Sequence, residues 1–188
     1  YLEYNHNKTI VDFFEEQVEK NPNNIALVFK MKTMTYSELN KKVNSLARYL
    51  NTNKIRKGSI VGIIVTRSFE MIISILAVLK AGASYIPIDP EYPEERINYI
   101  LENSNCDAII TLQKQSSKVQ SLGFEKLIII VDLCNEIVYN LPDNNLNNDI
   151  AQDDLSYLIF TSGSTGSPKG VMSVSYTHLR AHETTLHL

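Results

Sequence analysis

The residues from Ile60 to Val65, Ile-Val-Gly-Ile-Ile-Val, form a run with no polar side chain. A strand wetted on one face alternates apolar with polar residues. An unbroken run therefore predicts a strand covered on both faces, as in a parallel sheet layered between helices. The sequence on either side agrees. Ser68 is expected to start a helix whose apolar side carries Ile72, Ile73, Ile75, Leu76 and Leu79, with Gly82 as its stop. Tyr85 to Ile88 reads as a short strand. Pro93 suits a first helical position, and Ile97, Ile100 and Leu101 form the buried face of the helix it opens. Residues 107–111 and 126–131 read as two more strands, with a weak surface helix over 113–122 between them.

The N-terminal part follows the same grammar. Thr9, with Asp12 three residues on, caps a helix presenting Val11, Phe14 and Val18 and closing before Pro22. Ile25 to Phe29 reads as a strand, followed by a turn through Lys30 and Lys32. Ser37 is expected to cap a helix with Leu39, Val43, Leu46, Ala47 and Leu50 on one stripe. Residues 140–154, rich in Asn and Asp, read as a solvated loop. Strands alternating with amphipathic helices predict an α/β fold, a doubly wound and mostly parallel sheet with flanking helices and right-handed crossovers. Ligands in such sheets sit beyond the carboxyl ends of strands.

Composition narrows the function classes. With 188 residues there is enough chain for one domain, and 44% hydrophobic with 21% charged residues is ordinary for a globular protein. A net charge of −3 supplies no basic field for nucleic acid. No apolar run approaches the roughly 20 residues of a membrane helix. Cys106 and Cys134 are too few for a disulfide scaffold, and a reducing cytoplasm is the expected setting. The chain opens at Tyr1 and reaches a helix almost at once, which suggests a piece of something longer.

The chemistry concentrates between residues 155 and 170. An apolar strand candidate, Tyr157 to Phe160, breaks into Thr161, Ser162, Gly163, Ser164, Thr165, Gly166 and Ser167, all hydroxyl or glycine, and Pro168-Lys169-Gly170 closes the stretch. A polyphosphate asks a protein for backbone N–H groups that approach closely, hydroxyl donors and a cation. The glycines permit the approach, the hydroxyls donate and Lys169 supplies the charge. The Walker form fails here. A second glycine counted from Gly163 falls on Pro168, and one counted from Gly166 falls on Val171. Nor is it a G-x-G-x-x-G dinucleotide turn. A flexible Ser/Thr/Gly linker is the plain alternative, but a linker has no reason to follow a buried strand and end in Pro-Lys-Gly.

Thr161 to Gly170 resembles the phosphate-binding loop of the adenylate-forming enzymes: acyl-CoA synthetases, luciferases and the adenylation domains of nonribosomal peptide synthetases. Met34-Thr35-Tyr36-Ser37-Glu38-Leu39 is similar to an early segment of that family. Leu79 to Asp89 is similar to its second segment, and the continuation Pro90-Glu91-Tyr92-Pro93-Glu94-Glu95-Arg96-Ile97 is the version typical of peptide synthetases. The resemblance runs from about residue 9 to 172. It marks residues 1–172 as the N-terminal part of an adenylation (AMP-binding) domain. The parent would form an aminoacyl-adenylate from ATP and an amino acid and load it onto a phosphopantetheine carrier. Peptidyl carrier and condensation domains of the same assembly line would be its partners. The phosphates would lie against Thr161, Ser162, Gly163, Ser164, Thr165 and Gly166, with Lys169 nearby. The amino-acid pocket, the nucleoside contacts, the Mg2+ ligand and a mobile lysine would lie downstream. No complete catalytic set is then expected here, and this stretch alone is expected to be inactive. Tyr36, Glu38, Tyr85 and Asp89 read as packing and turn residues, and Lys80 as a cation suited to a helix end.

Two other functions fit the same residues. One is a piece of an acyl-CoA or related carboxylate ligase, which a downstream carrier domain would argue against. The other is a non-enzymatic phosphate-binding module. Residues 173–188 depart from the family pattern. Ser175 stands where a histidine is expected, and three of the chain's four histidines fall in its last eleven residues. That segment is expected to be foreign to the family. His178 and His182 share a helical spacing, but Leu179 stands where a zinc protease needs glutamate, and no metal site is expected.

Overall fold

A computed structural model describes residues 8–148, 150–151, 153–161 and 169–174. Helix α1 (Ile10–Lys20) starts on the capping box read from the sequence: the Thr9 hydroxyl accepts from the Asp12 amide, and the Asp12 carboxylate accepts from the Thr9 amide at 2.6 Å. Strands β1 (Ile25–Phe29) and β2 (Lys32–Thr35) pair antiparallel as a separate hairpin. Lys30 and Met31 both take positive φ in its two-residue turn, the primed geometry that matches strand twist. Helix α2 (Tyr36–Thr52) is capped by Thr35, two residues before the expected Ser37. Thr35 and Glu38 complete a second capping box, and this reciprocal pair fits the sequence as well as Ser37 does.

The main sheet has six strands in the order β6–β5–β3–β4–β7–β8. They are β3 (Ile60–Ile64), β4 (Ser84–Pro87), β5 (Ala108–Thr111), β6 (Leu127–Ile130), β7 (Leu155–Thr161) and β8 (Lys169–Val174). All pairs are parallel except β7 with β8. No local pattern predicts the strand that opens at Lys169, because Gly170 and its exposed neighbours carry no buried alternation. Helix α3 (Phe69–Lys80) follows β3, α4 (Glu94–Asn103) follows β4, and α5 (Ser116–Ser121) follows β5 behind a 3-10 turn at Gln113–Gln115. A short α6 (Glu136–Tyr139), a single turn too brief to show a helical period, precedes the Asn/Asp-rich segment.

The period of two along each strand sorts side chains between two cores. Val61, Ile63, Ala108, Ile110 and Ile129 join α2 and α3 on one face. Ile64, Ile86, Ile109 and Leu158 join α4 and α5 on the other. The sheet is doubly wound, as the unbroken run at Ile60 implies. Gly82 takes φ +80° just past α3, a turn that a side chain would strain. Ser68 sits at the cap position of α3, but its hydroxyl makes no capping bond. Pro93 precedes the first helical residue of α4 instead of occupying it.

Tertiary contacts add to two expectations. Segment 140–148 is not merely solvated. Ser45 Oγ donates to the Leu141 carbonyl, Arg48 Nε to that of Pro142, and Asn44 Nδ2 to that of Asp143. Lys80 is the last residue of α3, a cation at a helix end as expected, and it is also buried, only 2% exposed. Both additions have one cause: the partners lie tens of residues away, beyond any local pattern.

Candidate functional site

Strand β7 carries the candidate residues to the edge of the parallel array. It meets β4 at Tyr85 and Tyr157, whose rings stand 5.7 Å apart. Ser84 Oγ donates to the Leu155 carbonyl at 2.7 Å, tying the start of the strand to the same neighbour. Burial, and then the nearby Tyr157, push the Tyr85 phenol above its ordinary value. Tyr85 is a packing residue, as expected, and Tyr157 is its ring partner.

Beyond the array, β8 returns antiparallel along β7 and brings Lys169 opposite Thr161. The Phe160 ring lies over Gly170, where an added Cβ would stand in ordinary van der Waals contact with it at 3.4 Å. Of the expected phosphate contacts, Thr161 closes β7 and the backbone of Lys169 opens β8. Ser162, Gly163, Ser164, Thr165 and Gly166 lie outside the described residues, as do His178 and His182.

Next to this hairpin lies a cleft of about 570 Å³ at the carboxyl ends of β3, β4 and β7. Thr66 and Arg67 after β3, Asp89 to Tyr92 after β4, and Ile159 and Phe160 of β7 line it. This is where open α/β sheets bind ligands. The Thr66 hydroxyl is buried there without a hydrogen-bond partner. The β4–α4 lip is braced from behind: Lys118 Nζ on α5 donates to the Pro90 and Tyr92 carbonyls, both at 2.7 Å. The Arg96 guanidinium lies 4.2 Å from the Tyr92 ring centre. Asp89 accepts from the Glu91 amide and shapes the turn, as its type suggests. Glu38 sits in its capping box, where the Thr35 amide, and then the Thr35 hydroxyl, hold its carboxyl below the ordinary value. No local signal could have revealed the Lys118 brace, since its partners are backbone carbonyls of another element.

Among the described residues no group of His, Cys, Asp or Glu is arranged to hold a metal ion. No described helix is long and apolar enough to cross a membrane. Cys106 is buried and Cys134 exposed, and both are free thiols.

A doubly wound sheet with a cleft at the carboxyl ends of its strands is the architecture of a ligand-binding α/β domain. The sequence pattern of the AMP-binding enzyme family matches residues 14–185, and the chain belongs to that family. Bacitracin synthase 2 of Bacillus licheniformis is 45% identical over 173 residues, covering 92% of this chain and only 6% of that protein. The nonribosomal peptide synthetase FmoA3, in its α-methyl-L-serine-AMP-bound form, superposes with a TM-score of 0.82 over 93% of this chain and 19% of its own. At 22% identity it speaks for the fold alone. NpsA-ThdA, an artificially fused adenylation–PCP di-domain from Klebsiella oxytoca, gives 0.78 at 30% identity, over 93% of this chain and 34% of its own.

Proposed function

We propose that the chain is the N-terminal part of an amino-acid-activating adenylation domain. The whole protein joins an amino-acid carboxylate to the α-phosphate of ATP, releases pyrophosphate, and passes the acyl group to a carrier domain. The observation that carries this reading is the register of β7 and β8. Antiparallel partners stand roughly 5.5 Å or less apart between Cα atoms, so Thr161 and Lys169 bring both ends of segment 162–168 together beside the cleft. The hydroxyl and glycine residues that the sequence places between them supply the donors this reading asks for. Kinship with bacitracin synthase 2 and with an adenylation–PCP di-domain supports peptide synthesis and a carrier partner over an acyl-CoA ligase.

In this reading Thr161, Ser162, Gly163, Ser164, Thr165 and Gly166 hold the β- and γ-phosphates. Lys169 offsets the charge that grows on the departing pyrophosphate. In this reading ATP brings Mg2+, whose protein ligand belongs to the part of the domain that follows downstream. Phosphopantetheine on the carrier domain supplies the accepting thiol, and a condensation domain is the neighbour expected in the same assembly. Two free thiols suit a reducing cytoplasm. ATP–pyrophosphate exchange by the full-length protein tests the assignment. Lys169→Ala is expected to slow exchange roughly a hundred- to a thousandfold, the scale of losing one charge-stabilising contact. Unchanged exchange would remove Lys169 from the site.

A further inference from the structure

Lys80 is, among the described residues, the one buried charged side chain. Burial favours the neutral amine, and although Glu15 opposes this, the net effect is a lowered affinity for the proton. Such a group persists where its bonds compensate. Its ammonium donates to Glu15 Oε1 at 2.6 Å and to Asn40 Oδ1 and Asn44 Oδ1 at 2.7 Å. Three short bonds use its three protons, and Asn145 Oδ1 follows at 3.3 Å. Those partners come from α1, α2 and the segment between α6 and β7. The Lys80 carbonyl accepts from Asn148 Nδ2 at 2.7 Å, so one residue grips that segment through both side chain and main chain. Asn145 Oδ1 also accepts from Asn40 Nδ2 and Asn44 Nδ2.

This segment is what delivers the chain to β7. The Lys57–Asp154 ion pair and the Ser84–Leu155 hydrogen bond take over where Asn148 leaves off. The path from Lys80 to Thr161 is then held at short intervals. We propose that Lys80 is a positioning residue: it locks three helices and segment 141–148 into one unit, and so fixes where β7 presents Thr161 and the residues after it. The effect on nucleotide rests on the function proposed above, whereas the mechanical coupling does not.

Hydrogen exchange and steady-state kinetics on the full-length protein separate the two. Lys80→Met and Asn145→Ala are each expected to lower amide protection over residues 141–148 and 155–158 at least about tenfold, leaving α4, β5 and β6 unchanged. The KM for ATP in pyrophosphate exchange should rise several-fold while that for the amino acid holds. Asn145→Asp keeps the accepting oxygen and should behave as wild type. If Lys80→Met does not fold, the two Asn145 variants carry the test. Protection lost evenly across the sheet would make Lys80 a general stabiliser and overturn the proposal. Local loosening with an unchanged KM for ATP would overturn the link to nucleotide. Absence of exchange in the wild-type protein would instead sink the function proposed above, and the protection pattern would still judge the clamp.

Discussion

The centre of the sheet and its β7–β8 margin are built from similar residues under opposite conditions. In β5 every side chain from Ala108 to Thr111 is buried, with Ile110 fully so. In β7 only Ser156 and Leu158 are buried, Ile159 is 41% exposed, and across the hairpin Met172 is 71% exposed. The centre is covered on both faces by helices, whereas the margin bears its candidate chemistry on a strand with one helix-packed face. Stability and site are thereby separated: the buried strands hold the frame, and the edge hairpin is free to carry residues chosen for chemistry instead of packing.

The contrast can be broken most directly with Ile110→Ala. Truncating a fully buried isoleucine leaves a cavity, and roughly 2–5 kcal/mol of stability should be lost on urea unfolding. A smaller loss would mean the centre relaxes as readily as the edge.

Cys106 sharpens the same comparison by pH. Burial, its first cause, pushes this thiol up to about 11 from an ordinary 9.0. Below pH 9 both folded and unfolded chains keep the proton, so the group adds no slope. Between 9 and about 11 only the unfolded chain releases it, and stability falls as pH rises, by on the order of 2–3 kcal/mol in total. Cys106→Ala should lack that component, and the difference between the two curves cancels contributions from Lys80 and the tyrosines. At pH 8 a thiol reagent should label exposed Cys134 and spare Cys106. Labelling of both at equal rates would show the buried core opening freely.

The smallest effect is expected at the margin. Ile159→Thr should change stability by no more than about 0.5 kcal/mol, as surface substitutions do. A loss matching that of Ile110→Ala would show that something in the intact protein covers this face.

Local physics was readable from the residues. The unbroken run at Ile60, the stripe from Leu39 to Leu50 and the Thr9–Asp12 box depend on period and on contacts three or four residues apart, so the alternating α/β order and the place of β7 were legible. So was the composition of the segment after Phe160, because close approach, hydroxyl donors and a cation are properties of residue types. Tertiary structure decided the rest. Lys80 reads as an ordinary helix-end cation until α1, α2 and Asn145 close over it, and Asn145 lies 65 residues away. The Asn/Asp-rich segment reads as solvated until Ser45 and Arg48 claim its carbonyls. Strand β8 declares itself only through its pairing with β7, and Lys118 only through the carbonyls it braces. In each case the partner is distant in sequence, and no period or propensity encodes a hydrogen bond that only the assembled layers bring within reach.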